Sequence, residues 1–424
     1  MAFYIYVNFL YIIPVIKNMK TIVLFLDAFR YNDMNENNCP YIYKLAKCGA
    51  YGPLKTLAGY HVEYSILSGY FPLKHNVWIW YYYDKGASCF KWIKPLKPML
   101  VYLDGTLLRS FTRNFISYAT MLIRYFQGKT RLLKANEIPI EKMDNFNISV
   151  DKFYTDKNSL NVPTLFDILR ENKVRYMASE YPWIATNDCM KLAFFKRGDE
   201  SNFKILNKNI EKYELLYCHV WNLDSLQHKY GTKSSESLMH IKKIDGFVKD
   251  LVESSKKNDN DLNVVIFSDH GMTNVIGTIN AFNVLKDYEA DYFIGSTTLQ
   301  IWLNDLSKKN EIKQKFLKLN CLVYDEKNIG KIKIPYNRSF AGDMLVAARP
   351  GYQFYPDYFR KDANARAMHG YTTKNRDLDG IFIINGNNVK NKLIKNASLV
   401  DIMPTVLKLI GIKNNDEYDG KAKI

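Results

Sequence analysis

Residues 20–27 read Lys-Thr-Ile-Val-Leu-Phe-Leu-Asp, an unbroken apolar run that stops at a carboxylate. A strand with one wet face alternates apolar and polar residues, whereas a strand covered on both faces in a parallel sheet does not. The run therefore predicts a fully buried strand with Asp27 at its C-terminal end. Similar runs recur at Val174–Ala178, Leu215–Val220, Asn263–Phe267 and Gly380–Ile384. Helical periodicity fills the gaps, at Pro40–Lys47, Val162–Glu171, Ser234–Ser254, Lys308–Leu319 and Leu399–Ile412. Strands alternating with helices predict an α/β fold with a mainly parallel central sheet.

Working outward from Asp27, the other chemistry-bearing residues fall where such a sheet gathers its ligands, at the carboxyl ends of strands. Asp224 and His228 follow the run at Leu215–Val220, and Asp269-His270 follow the run at Asn263–Phe267. His369 precedes the run at Gly380. Each has an ordinary reading on its own. Asp224 and His228 are spaced to share a helix face, as many surface pairs do. Asp269 could cap a helix, and a lone loop histidine carries little information. Only Asp27 is costly by itself, because a carboxylate ending a buried strand needs a partner. Together, three carboxylates and three imidazoles are enough to hold two divalent ions, a standard device for displacement at phosphorus.

The chain has 424 residues, 47% of them apolar, and a net charge of +16. Its size suits one large domain with an insertion, or two domains. The charge favours an anionic partner such as a phosphate ester or an acidic membrane surface, although a Lys-rich composition alone would also produce it. Nine Lys or Arg against the single acid Asp104 fall between Lys91 and Lys134. Residues 85–159 also break the strand–helix alternation and are read as an inserted basic, aromatic cap. Thr106–Phe126 within it predicts an amphipathic basic helix. That helix suggests peripheral contact with an anionic membrane or a lipid-linked substrate, against the plainer reading of a cap with a solvated basic face. No motif points to nucleic acid.

The six cysteines show no Cys-x-x-Cys and no zinc spacing, so buried free thiols in a reducing, cytoplasmic setting are expected. Residues 1–18 are apolar and uncharged up to Ile16 but shorter than a bilayer span. They are read as an extension upstream of a start at Met19, with the catalytic unit at 19–84 and 160–424.

In order and wording, these motifs resemble the type I phosphodiesterase and nucleotide pyrophosphatase family of the alkaline phosphatase superfamily. The resemblance rests on Asp27 after the first strand, Asp224-x-x-x-His228-x-x-Gly231, Ser268-Asp269-His270-Gly271-Met272 and His369-Gly370-Tyr371. Ser68-Gly69 with Pro72 and His75, Gly342-Asp343, Pro350-Gly351 and Asp401–Thr405 support it. It implies an alkaline-phosphatase-like three-layer sandwich and a two-metal hydrolase of phosphate esters, a phosphodiesterase first. Monoesterase, phosphonate hydrolase and phosphomutase share the same metal site, and a scaffold that has lost catalysis is the rival of another class. The resemblance assigns one ion to Asp224, His228 and His369 and the other to Asp27, Asp269 and His270. Mixed imidazole and carboxylate shells suit Zn²⁺, with Mn²⁺ or Fe²⁺ as alternatives.

One position departs from the pattern. The family's hydroxyl nucleophile stands ten residues before the Gly of a Ser-Gly or Thr-Gly pair, and here that count lands on Gly59. Thr56 is the expected nucleophile if the loop is longer. The alternatives are Ser65, expected inside the next helix, and no side-chain nucleophile at all, with hydroxide attacking instead. His61 and Glu63 fill the gap without an assigned role. A sulfatase is excluded, because Cys39-Pro40-Tyr41 lacks the required spacing and arginine.

Overall fold

The computed structural model describes residues 20–130, 137–180, 183–192, 198–258, 261–360, 365–373, 375–413 and 417–424. The extension at 1–18 and two of the basic residues, Arg131 and Lys134, lie outside them.

The central sheet is built on β1 (Lys20–Leu26), β2 (Ala50–Lys55), β3 (Tyr176–Glu180), β4 (Leu215–Val220), β5 (Leu262–Phe267) and β6 (Gly380–Asn385). Its spatial order is β2-β6-β5-β1-β4-β3, continued by Trp183–Thr186 and Met190–Leu192. β5, β1, β4 and β3 are mutually parallel, while β6 runs antiparallel to both β5 and β2. The unbroken apolar run of β1 is explained by its two covered faces. Ile22, Leu24 and Leu26 pack into one hydrophobic cluster, Val23 and Phe25 into another.

Helices form the outer layers. α1 (Pro40–Lys47) and the long helix Ser235–Asn258 cover the first face. α2 (Glu63–Ser68) and the helices Leu165–Glu171 and Ile402–Leu409 cover the second. This is the expected three-layer sandwich.

A second, antiparallel sheet was not legible in the sequence. It has the order Ala290–Ile294, Thr298–Leu303, Met344–Ala347, Leu322–Tyr324. Phe90, Ile93, Ile116 and Phe146 from the segment 85–159 share its core with Trp302 and Val346. This segment therefore packs against the smaller sheet.

The helix Arg109–Phe126 forms near its predicted place, but not with the predicted orientation. A basic solvated face was one reading of this stretch. Instead Arg113 and Arg124 turn inward, toward Asp104 at 2.5 Å and Asp151 at 3.1 Å, and Arg109 pairs with Asp104 and Glu137. All six cysteines are free, but Cys48 and Cys189 are exposed where buried thiols were expected.

The Ser65–His75 pair shows how the sequence motif around Gly69 is used. Ser65 lies inside α2 and its Oγ is 2.9 Å from His75 Nε2, while Val77 N donates to His75 Nδ1 at 3.2 Å. Nδ1 as acceptor requires the neutral ring, and burial pushes the His75 pKa down to about 4. An unfolded chain takes up this proton near its ordinary value of about 6.5, whereas the native state resists until about 4. Stability from this group is thus fully present above pH 6.5 and lost as pH falls from 6.5 to 4. The expected loss is on the order of 3 kcal/mol. Thermal melts across that window should show the slope, and His75→Gln should flatten it.

Candidate active site

Three adjacent parallel strands, β5, β1 and β4, end side by side, and their C-terminal ends supply most of the site. Asp27 directly follows β1, with its backbone N–H donating to Val220 O at 2.8 Å. Asp269 and His270 follow β5, where Asp269 Oδ1 accepts from Ala28 N at 3.5 Å. Asp224 and His228 lie on one face of the helix Asn222–Tyr230 that follows β4. His369 comes from another direction. A short antiparallel ladder pairs Thr273 with Met368 and Asn274 with Ala367, tying the His369 loop to the segment after His270. The rings of His270 and His369 stack with centroids 3.7 Å apart. All six residues line one cavity of about 450 Å³.

The distances have a chemical meaning. Asp224 Oδ1 is 3.4 Å from His228 Nε2 and 3.7 Å from His369 Nε2. His270 Nε2 is 3.5 Å from Asp27 Oδ1 and 3.2 Å from Asp269 Oδ2. Charge-assisted N–H···O bonds would close to about 2.8 Å. Ligands arranged tetrahedrally around zinc, at bond lengths near 2.1 Å, stand about 3.4 Å from one another. The observed spacings match the second arrangement. Moreover, Asp27 Oδ1 and Asp224 Oδ1 are buried and accept no hydrogen bond among the described residues.

The imidazoles are oriented for the same task. His228 Nδ1 is 2.8 Å from Ala367 O, and His270 Nδ1 is 3.0 Å from Gly271 O. A carbonyl partner requires N–H at Nδ1, which leaves the Nε2 lone pair facing the carboxylates. Two groups of potential ligand atoms result: Asp224 with His228 and His369, and Asp27 with Asp224 and His270. The first is the set expected from the sequence. In the second, Asp224 stands where Asp269 was expected, so Asp224 lies between the two groups while Asp269 flanks His270.

Without a counter-charge the carboxylates strain one another. Burial, then Asp269 and Asp224, raises the Asp27 pKa well above the usual range. Burial also raises Asp269. For Asp224 burial acts upward too, but the imidazoles of His228, His369 and His270 outweigh it and hold the group well below the usual range. Burial and the neighbouring His270 keep His369 neutral, well below its ordinary pKa. Crowded carboxylates faced by imidazole nitrogens suit a bound cation.

Sequence reasoning missed two residues. His219 Nε2 is 3.3 Å from Asp27 Oδ2, and its Nδ1 is 3.3 Å from Glu180 Oε1. Its ring stacks on Phe25 at 4.0 Å. Burial disfavours the charged ring, yet the carboxylates of Asp27 and Glu180 override it and raise the His219 pKa well above its ordinary value. The available signal was a histidine at the penultimate position of the apolar strand β4.

Thr56 does not join the cluster. It sits just past β2, which is separated from β1 by β6 and β5, a lateral distance of about 14 Å at normal strand spacing. Its hydroxyl lies 3.3 Å from Leu57 O, and the residue lines a neighbouring cavity with Lys55 and Arg376. Thr56 therefore lies away from the six Asp and His residues for a topological reason. Gly59, by contrast, lines the same cavity as they do, with Glu63, Trp80 and Arg360.

The sequence profile of the type I phosphodiesterase / nucleotide pyrophosphatase family matches residues 21–372. Among solved structures, human ectonucleotide pyrophosphatase/phosphodiesterase 5 superimposes with a TM-score of 0.66 at 17% identity, covering 95% of this chain and 97% of that one. An inactive variant of the murine protein in complex with AMP gives a TM-score of 0.65 at 17% identity, with the same coverage. At that identity the superposition speaks for the fold, while the profile match runs over most of the sequence and through every motif of the cavity. The chain belongs to the type I phosphodiesterase / nucleotide pyrophosphatase family.

Proposed function

We propose that this hydrolase is a two-metal phosphodiesterase whose attacking group is water. Asp224, His228 and His369 would hold one ion and Asp27, Asp269 and His270 the other, with the Asp224 carboxylate close to both. The donor set favours Zn²⁺, with Mn²⁺ or Fe²⁺ as alternatives. Such ions, when bound, neutralise charge on the phosphate and make a hydroxide available near neutral pH. The observation that carries the reading is the set of 3.4–3.7 Å imidazole–carboxylate spacings around two buried oxygens that accept no hydrogen bond among the described residues.

The remaining steps belong to the chain itself. Gly59 presents bare backbone to this cavity, so this position offers no side-chain hydroxyl to attack. Glu63, at the first position of α2, lines that part of the cavity and can accept the proton of the attacking water. Glu180 and His219 hold Asp27 in place through its second oxygen. Trp80, Trp221 and Phe359 provide apolar walls for the ester groups. Arg360, held by Asp357 at 3.0 Å and Ser296 at 2.6 Å, offers a fixed cation to a phosphate oxygen. A nucleotide-like diester fits this combination of flat rings and anion-binding groups.

The test combines metal analysis with turnover of bis- and mono-nitrophenyl phosphate on one purified sample. The expected result is about two equivalents of divalent metal, faster cleavage of the diester, and loss of turnover on chelation. A chiral phosphorothioate diester should react with inversion, as a single displacement requires. Bound metal without turnover of either ester would mean a scaffold that has lost catalysis. Retention at phosphorus would mean that a side chain attacks after all. Thr56→Ala is expected to leave turnover within about twofold of wild type.

A further inference from the structure

The helix Arg109–Phe126 is amphipathic and packs with its polar face inward. Thr112, Ser117, Thr120 and Arg124 are buried against the protein. Thr120 Oγ1 accepts from Trp92 Nε1 at 3.0 Å, and Arg113 Nη1 donates to Ile138 O at 2.5 Å. The opposite face is apolar and open. Phe111 is 68% exposed, Tyr118 59%, Leu122 55% and Phe126 79%. The preceding helix, Lys97–Asp104, and the turn after it extend the patch, with Tyr102 73% exposed and Leu107 fully so. A soluble helix is normally oriented the other way. A contiguous apolar surface of this kind marks a contact with another body.

Charge indicates which body. Lys97 pairs with Asp144, and Arg109, Arg113, Arg124 and Lys129 pair with nearby carboxylates. Lys91 and Lys94, just before the first helix, are exposed and make no ion pair among the described residues. The chain as a whole carries +16. A symmetric contact with a second copy would set one basic segment against another. An anionic bilayer complements both properties, taking the apolar face into its acyl boundary and the lysines at its headgroups. Tyrosines 102, 118 and 125 supply the amphipathic rings that favour such an interface. Among the described residues no helix is long and apolar enough to cross a membrane.

We infer that the helical pair 97–126 is a monotopic membrane-docking surface that lies on an anionic lipid bilayer. The full chain should co-sediment with vesicles of three parts phosphatidylcholine to one part phosphatidylglycerol, and about tenfold more weakly with phosphatidylcholine alone. The triple substitution Phe111→Ser, Tyr118→Ser and Leu122→Ser should abolish binding to both, with an unchanged melting temperature because these side chains face solvent. Lys91→Glu with Lys94→Glu should erase the preference for anionic lipid while leaving the weak binding. Wild-type protein that stays in the supernatant with both vesicle types overturns the inference. So does a triple variant that binds as well as wild type. A wild-type dimer that the triple variant converts to monomer would assign the face to a second copy instead.

Discussion

Asp27→Asn is expected to shift stability in opposite directions depending on whether metal is present. In the metal-free protein, Asp27, Asp269 and Asp224 crowd one cavity, and burial with the two neighbouring carboxylates raises the Asp27 pKa well above the usual range. An ionised Asp27 therefore opposes folding at neutral pH, and the neutral amide removes that repulsion. Chelated Asp27→Asn should melt higher than chelated wild type, by the equivalent of about 1–2 kcal/mol. A carboxyl with a raised folded pKa gains stability as pH falls through that value, so the wild-type advantage of acidification should shrink in the variant. With saturating zinc the order reverses, because the amide has lost the charge that a cation would neutralise. Turnover should fall roughly a thousandfold, about 4 kcal/mol of lost stabilisation. Differential scanning calorimetry with and without zinc, alongside bis-nitrophenyl phosphate turnover, reads all three quantities. If the variant were less stable than wild type under both conditions, Asp27 would be an ordinary structural carboxylate.

That strain also explains which parts of the molecule were legible in the sequence. β1 could be read because Ile22, Leu24 and Leu26 face one apolar layer and Val23 and Phe25 another, leaving no polar position from Ile22 to Leu26. Asp224 and His228 could be read because a four-residue spacing on the helix Asn222–Tyr230 puts both on one face. The His219–Glu180 contact could not, since it exists only because β3 and β4 are neighbours in the sheet, a fact of pairing and not of local pattern. The orientation of the helix Arg109–Phe126 was hidden for a similar reason. Periodicity reveals that a helix has two faces, and the partner alone decides which is buried. Asp104, Glu137 and Asp151 draw its arginines inward, and two of those three carboxylates lie outside the helix and its immediate neighbour. Thr56 was misplaced because a count of loop residues carries no direction. The chain leaves β2 three strands from β1 and returns to the Asp–His cluster only at Gly59.

Gly59→Thr, which restores the residue type that the family pattern places here, is expected to damage the protein without supplying a nucleophile. Gly59 has φ +111°, a region that side-chain-bearing residues rarely enter. A Cβ added there would lie 2.3 Å from Trp78 O. That carbonyl is not free to move, because Tyr60 N and His61 N donate to it at 2.9 and 3.3 Å. Backbone strain of about 1–3 kcal/mol and a lost hydrogen bond together predict destabilisation of roughly 3–4 kcal/mol. Gly59→Ala should suffer nearly the same loss, which separates the effect of the Cβ from that of the hydroxyl. Both variants should also lose turnover, since the displaced loop carries Tyr60, whose OH accepts from Thr297 N at 2.7 Å, and Glu63. Thermal melts and single-turnover assays distinguish the outcomes. A Gly59→Thr variant with wild-type stability, a burst of released nitrophenol and retention at phosphorus would mean that the loop can re-seat and accept a hydroxyl. Loss of stability in both variants, with inversion retained in whatever activity remains, would mean that the turn is built around the absence of a side chain, and that water is the attacking group for which the cavity has room.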